Sequence, residues 1–88
     1  MAIWEHDGQM FEYISTYCLP EDAWHHEVTG LSASAYICLV IPDLTPDGPF
    51  TPAPPDNATL RFFDSTIPWP IWTKFMTAVQ DSRHFAEG

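Results

Sequence analysis

One segment near the carboxyl end sets the terms for this chain. Ile71, Trp72, Phe75, Met76 and Val79 recur at spacings of three and four and form a single apolar stripe. Thr73, Lys74, Thr77 and Gln80 face away from it. Pro70 suits a first helical turn, and Pro68 holds the chain before it extended. Arg83 and His84 suit the negative end of the helix dipole. Such a helix must lay its stripe on something, and almost everything before it reads as strand, turn or loop. With 88 residues there is room for one domain. Its core is thin, because a chain this short buries only about 60% of its unfolded surface. The expected architecture over residues 1–88 is α+β: a small, twisted, mostly antiparallel sheet with a carboxyl-terminal amphipathic helix packed on one face.

The strands come from alternation and turn chemistry. Ile3 to Ile14 reads as a hairpin around Asp7–Gly8, a pair that tolerates positive φ. That register sets Trp4 opposite Phe11 and Glu5 opposite Met10. Ala35 to Ile41 is continuously apolar and rich in β-branched residues, so it is expected to be covered on both faces. Thr59 to Phe63 reads as another strand, with Leu60 and Phe62 on one face, and Ser65 to Pro70 as the turn into the helix. Leu19 to Gly30 supports two readings. Pro20, Glu21, Asp22 and Gly30 are placed as helix start and stop signals, whereas Trp24 to Thr29 has the composition of a strand. Residues 42–57 hold six of the nine prolines and read as a Pro-rich loop with a turn at Pro46–Asp47–Gly48. Pro46, Pro49, Pro52 and Pro55 recur at the polyproline II period, as in a docking motif. No Arg or Lys flanks them to orient a ligand, and a stiff crossover loop is the expectation.

Charge narrows the function. The formal net charge is −9. Residues 1–60 carry nine acids and no Lys or Arg, while Arg61, Lys74 and Arg83 balance the remaining acids. This distribution disfavours direct nucleic-acid binding and anionic membranes, and favours a basic protein partner. The start Met1–Ala2–Ile3–Trp4–Glu5 lacks the basic and apolar regions of a signal peptide. No stretch approaches the roughly 18 apolar residues of a membrane span. A cytoplasmic location is the expectation, with Cys18 and Cys38 as reduced, buried thiols.

No catalytic signature stands out. Cys18, His25, His26, Glu27 and Cys38 are competent metal ligands, but there is no Cys-x-x-Cys pair and no His pair one helical turn apart. Adjacent His25 and His26 point apart in a helix or a strand. Cys18 with His25 could form a thiolate pair, yet no third group is indicated to orient it. The four glycines are isolated, so no phosphate loop exists. The expectation is no enzyme, no cofactor and no metal, with a metal-dependent small protein using Cys18, His25 or Cys38 as a third alternative.

The aromatic excess points to interfaces instead. Six Phe, four Trp and three Tyr are more than a thin core easily hides, and Trp and Tyr are enriched where proteins meet. The candidate interface residues are Trp4, Glu21, Asp22, Trp24, Glu27 and Trp69. Trp72 is assigned to gluing helix to sheet. A homodimer would complete a small core.

The carboxyl-terminal half carries Asp47–Gly48–Pro49, then Leu60–Arg61–Phe62, then Trp72, Phe75 and Val79 in a Trp-x-x-Phe-x-x-x-Val helix, after an apolar Tyr36–Ile37–Cys38–Leu39 strand. In this order the motifs resemble the small actinobacterial BldB-like family, which includes partners of WhiJ-type helix-turn-helix regulators. Phe50 to Thr59 stands as an insertion relative to that pattern. The resemblance implies a non-enzymatic regulatory partner of a DNA-binding transcription regulator and supplies no catalytic residues. The alternative is an acidic inhibitor of immunity type whose carboxylates imitate nucleic-acid phosphates.

Overall fold

The computed structural model describes residues 1–32, 35–62 and 66–85. Among these, β1 (Ala2–His6), β2 (Gln9–Cys18), β3 (Ala23–Gly30), β4 (Tyr36–Pro42) and β5 (Thr59–Phe62) form one sheet in the order β1-β2-β3-β4-β5, followed by α1 (Trp69–Ser82). Every neighbouring pair is antiparallel. The α+β reading is therefore correct, and the sheet is a plain meander with the helix laid on one face.

Asp7 and Gly8 both take positive φ, 50° and 80°, as the tight turn between β1 and β2 requires. Trp4 pairs with Phe11 and Glu5 with Met10, in the expected register. The ambiguous segment divides. Leu19–Glu21 makes one 3-10 turn, Asp22 caps it at φ 49°, and the chain then enters β3. The helix signals at Pro20 and Glu21 are thus spent on a single turn, because the residues after it pair with β2 and β4. Residues 37–41 of β4 are buried throughout. β5 ends at Phe62; Phe63 and Ser65 lie outside the described residues.

The Pro-rich segment is a tied crossover, and not a polyproline helix. A turn at 45–48 is closed by the Gly48 N–H to the Thr45 carbonyl, and Asp43 bridges to Pro52. The Asp43 carboxylate accepts the Thr45 N–H at 2.9 Å, the Thr51 N–H at 3.2 Å and the Tyr17 hydroxyl at 2.9 Å. The turn, the bridge at Pro52 and a 3-10 turn at Pro55–Asn57 interrupt the polyproline II period of Pro46, Pro49, Pro52 and Pro55.

Alternation sorts the two faces. On the helix face, Phe11, Val28, Ile37, Leu39 and Ile41 meet Ile71, Phe75 and Val79 of α1, all buried. Trp4 stacks on Tyr13 with centroids 5.1 Å apart, and Tyr13 meets Phe75 edge-on. The last turn of the helix carries no base. Arg83 is instead its left-handed cap, and His84 turns back onto the sheet.

This face also holds His26, which is 0% exposed. Its Nδ1 lies 2.7 Å from the Tyr13 hydroxyl and its Nε2 lies 3.2 Å from His84 Nδ1. A neutral imidazole satisfies both by donating to one and accepting from the other. Burial, and secondarily the proximity of His84, push the His26 pKa down to about 4.

Two outcomes follow from this packing. Phe75→Ala opens a cavity at the helix–sheet contact and is expected to cost about 3–5 kcal/mol, enough to unfold much of the population, read as loss of the cooperative melt. For His26 the folded pKa lies below the unfolded value near 6.5. Its stabilising contribution is therefore complete above about pH 6.5 and is lost as pH falls toward 4, by at most about 3 kcal/mol. Tm should drop across that window in the parent protein and much less in His26→Gln.

Candidate functional site

The face of the sheet away from α1 carries the polar cluster. His25 and Glu27 are two apart on β3 and share this face, while Trp24, His26 and Val28 point to the other. On β4, Cys38 pairs with Glu27 in register, and on β5, Arg61 pairs with Cys38. Cys18 closes β2 opposite Ala23, and Glu21 stands on the turn between them. A small buried patch of Ala23, Cys38 and Val40, with Tyr36 packed against it, floors the cluster.

His25 is held from both sides. Its Nε2 lies 2.7 Å from Glu21 Oε2, and its Nδ1 lies 3.8 Å from Glu27 Oε1. Only 12% of its side chain is exposed. Glu21 is held in turn by Arg61, whose Nη2 donates to Oε1 at 3.1 Å and to Oε2 at 3.2 Å. The hydrogen bond from His25, then the one from Arg61, keep the Glu21 carboxyl below its ordinary range. Cys38 Sγ lies 3.9 Å from Glu27 Oε1. Burial, and then the Glu27 charge, push the Cys38 thiol up. Burial pushes Tyr36 to about 12, with the Cys38 and Glu27 charges next in weight.

Two ligand sets share the imidazole. Cys18, Glu21 and His25 place their ligand atoms within 4.8 Å of one another, as do His25, Glu27 and Cys38. Of the five competent ligands in the sequence, four are brought to one face and His26 is turned away. Glu21 supplies the third group that the Cys18–His25 pairing lacked. It was legible only once residues 23–30 were a strand, because alternation then puts Ala23, His25 and Glu27 on one side.

The interface candidates separate. Glu21 and Glu27 belong to this cluster, and Asp22 is exposed beside it. Trp24 is half-buried: it stacks on His84 at 4.0 Å and meets Tyr17 and Phe50 edge-on. Trp4 is likewise committed to Tyr13 and to a groove against α1. Trp69 is 72% exposed. With Phe62, Ile67, Trp72 and Ile37 it lines an apolar groove of about 300 Å³ beside β5. Cys18 is half-buried and Cys38 buried, both as free thiols.

No protein-family model, no curated protein and no solved structure matches the chain. The BldB-like resemblance rests on the quoted motifs alone. No described helix is long and apolar enough to cross a membrane.

A thiol kept protonated and covered reacts slowly with alkylating agents. In the metal-free protein, Cys18 should be alkylated at least about tenfold faster than Cys38, read by peptide mass spectrometry over a time course.

Proposed function

We propose that this chain is a non-enzymatic, acidic interaction module whose partner is a basic protein, a DNA-binding transcription regulator of helix-turn-helix type being the first candidate. The observation that carries the reading is the groove beside β5. Trp69, 72% exposed, and Phe62, 59% exposed, flank an apolar groove of about 300 Å³ on a chain of net charge −9. Exposed aromatics beside an apolar pocket are the usual anchors of a protein interface. The net charge of the chain, carried by residues 1–60, selects the sign of the partner and speeds encounter with it. Arg61, among the few cations, is already engaged by Glu21. The raised Cys38 thiol suits a structural role better than a nucleophilic one. In the absence of a partner, a second copy is proposed to occupy the same groove, which makes the free form a homodimer.

Capture from a lysate of the native host, followed by binding measurements with the purified captured protein, tests the reading. A basic DNA-binding regulator is expected, with affinity that falls with salt. Trp69→Ala should weaken it about 30-fold while leaving Tm unchanged, because the side chain is exposed. A nuclease whose binding is competed by DNA would replace the reading with the nucleic-acid mimic. A strict monomer that retains no basic protein would end it.

A further inference from the structure

We propose that His25, Glu27 and Cys38 form a binding site for one thiophilic divalent transition-metal ion of the zinc class, through His25 Nδ1, a Glu27 carboxylate oxygen and Cys38 Sγ. The inference is independent of the docking surface.

The argument starts from distance. Tetrahedral zinc with bonds of about 2.0–2.3 Å sets its ligands about 3.5 Å apart. Glu27 Oε1 is 3.8 Å from His25 Nδ1 and 3.9 Å from Cys38 Sγ, and all three ligand atoms fall within 4.8 Å. The two Glu27 contacts need a contraction of only a few tenths of an ångström, the His25–Cys38 separation closes from within 4.8 Å, and His25, Glu27 and Cys38 stand on paired strands of a sheet.

The second argument is orientation. A histidine that binds metal through one nitrogen commonly donates its other N–H to a carboxylate. His25 does so here: Nε2–H donates to Glu21 Oε2 at 2.7 Å, and Arg61 fixes that carboxylate from the far side. In the neutral ring this leaves Nδ1, 3.8 Å from Glu27 Oε1, as the lone-pair nitrogen. Assignment to the alternative set would require Nε2 to give up that bond.

Charge agrees. A neutral imidazole, a carboxylate and a thiolate total −2 and neutralise a dication, while Glu21 and Arg61 neutralise each other. The thiol proton leaves to solvent when the ion binds. The sulfur donor disfavours magnesium and calcium. Three protein ligands leave a fourth position for water or for a donor from a partner.

The test is titration of the untagged, reduced full-length protein with Zn(II) alone, followed calorimetrically, and with Co(II) for its thiolate charge-transfer absorbance. One equivalent should bind. Glu27→Gln and Cys38→Ser should each weaken binding at least about tenfold, and Glu21→Gln by about 10–100-fold through loss of ring orientation. Cys18→Ser should stay within about twofold of the parent and keep the charge-transfer band. Circular dichroism checks each variant. If Cys38→Ser fails to fold, Glu27→Gln, at a half-buried side chain, carries the test. Absence of saturable binding would overturn the proposal. So would a Cys18→Ser variant that loses the ion while Glu27→Gln keeps it.

Discussion

The burial of Ile71, Phe75 and Val79 against Phe11, Val28, Ile37, Leu39 and Ile41 is the contact on which the rest of the molecule depends. Among the described residues of this 88-residue chain, the other buried cluster, Ala23, Cys38 and Val40, is much smaller. Each fully buried aliphatic or aromatic side chain contributes about 1.5–3 kcal/mol. A handful of such residues must offset the ordering of the whole meander. The Tyr13–His26–His84 chain of hydrogen bonds lies at the edge of the same contact and ties the end of the helix to the sheet. It adds specificity at the cost of acid sensitivity, because a neutral imidazole is part of the fold.

One helix covers one face, so the other face must be made acceptable to water by its own side chains. Antiparallel sheets commonly do this by alternation, apolar inward and polar outward. Here β4 departs from the pattern, with Cys38 and Val40 buried on the uncovered side. The neighbouring strands shelter them with His25, Glu27 and Arg61, which join into a network with Glu21. Exposed ion pairs contribute little to stability. That applies to the Glu21–Arg61 pair, whose side chains are both well exposed, whereas the His25 imidazole is nearly covered and held between two carboxylates.

The hairpin, the β4 run and the helix stripe were legible because each is a local pattern: a turn pair, a β-branched run, a 3.6-residue period. The cluster was not legible, because its residues are brought together by register. Glu27 and Cys38 are 11 apart, and Glu21 and Arg61 are 40 apart. Metal motifs that are read from spacing assume ligands close together in sequence, whereas Glu27 and Cys38 meet across paired strands. Leu19 to Gly30 reads equally as helix or strand, and in a helix His25 and Glu27 would not share a face. Trp24, an interface candidate in the sequence, is half-buried. Alternation puts it on the helix face of the sheet, where His84 from the far end of the chain stacks on it.

β5 is the element that the two surfaces share. Arg61 pairs with Cys38 and reaches Glu21 on the open face, while Leu60 and Phe62 lie on the opposite side, and Phe62 forms a wall of the groove. The strand is four residues long and exposed throughout, so its position is set by one ladder and by the contacts of these side chains. An ion at His25, Glu27 and Cys38 would fix β3 against β4 and hold the Glu21–Arg61 pair that steadies β5. Arg61 on the open face and Phe62 in the groove are thus neighbours on one short strand, and each surface keeps its own set of side chains.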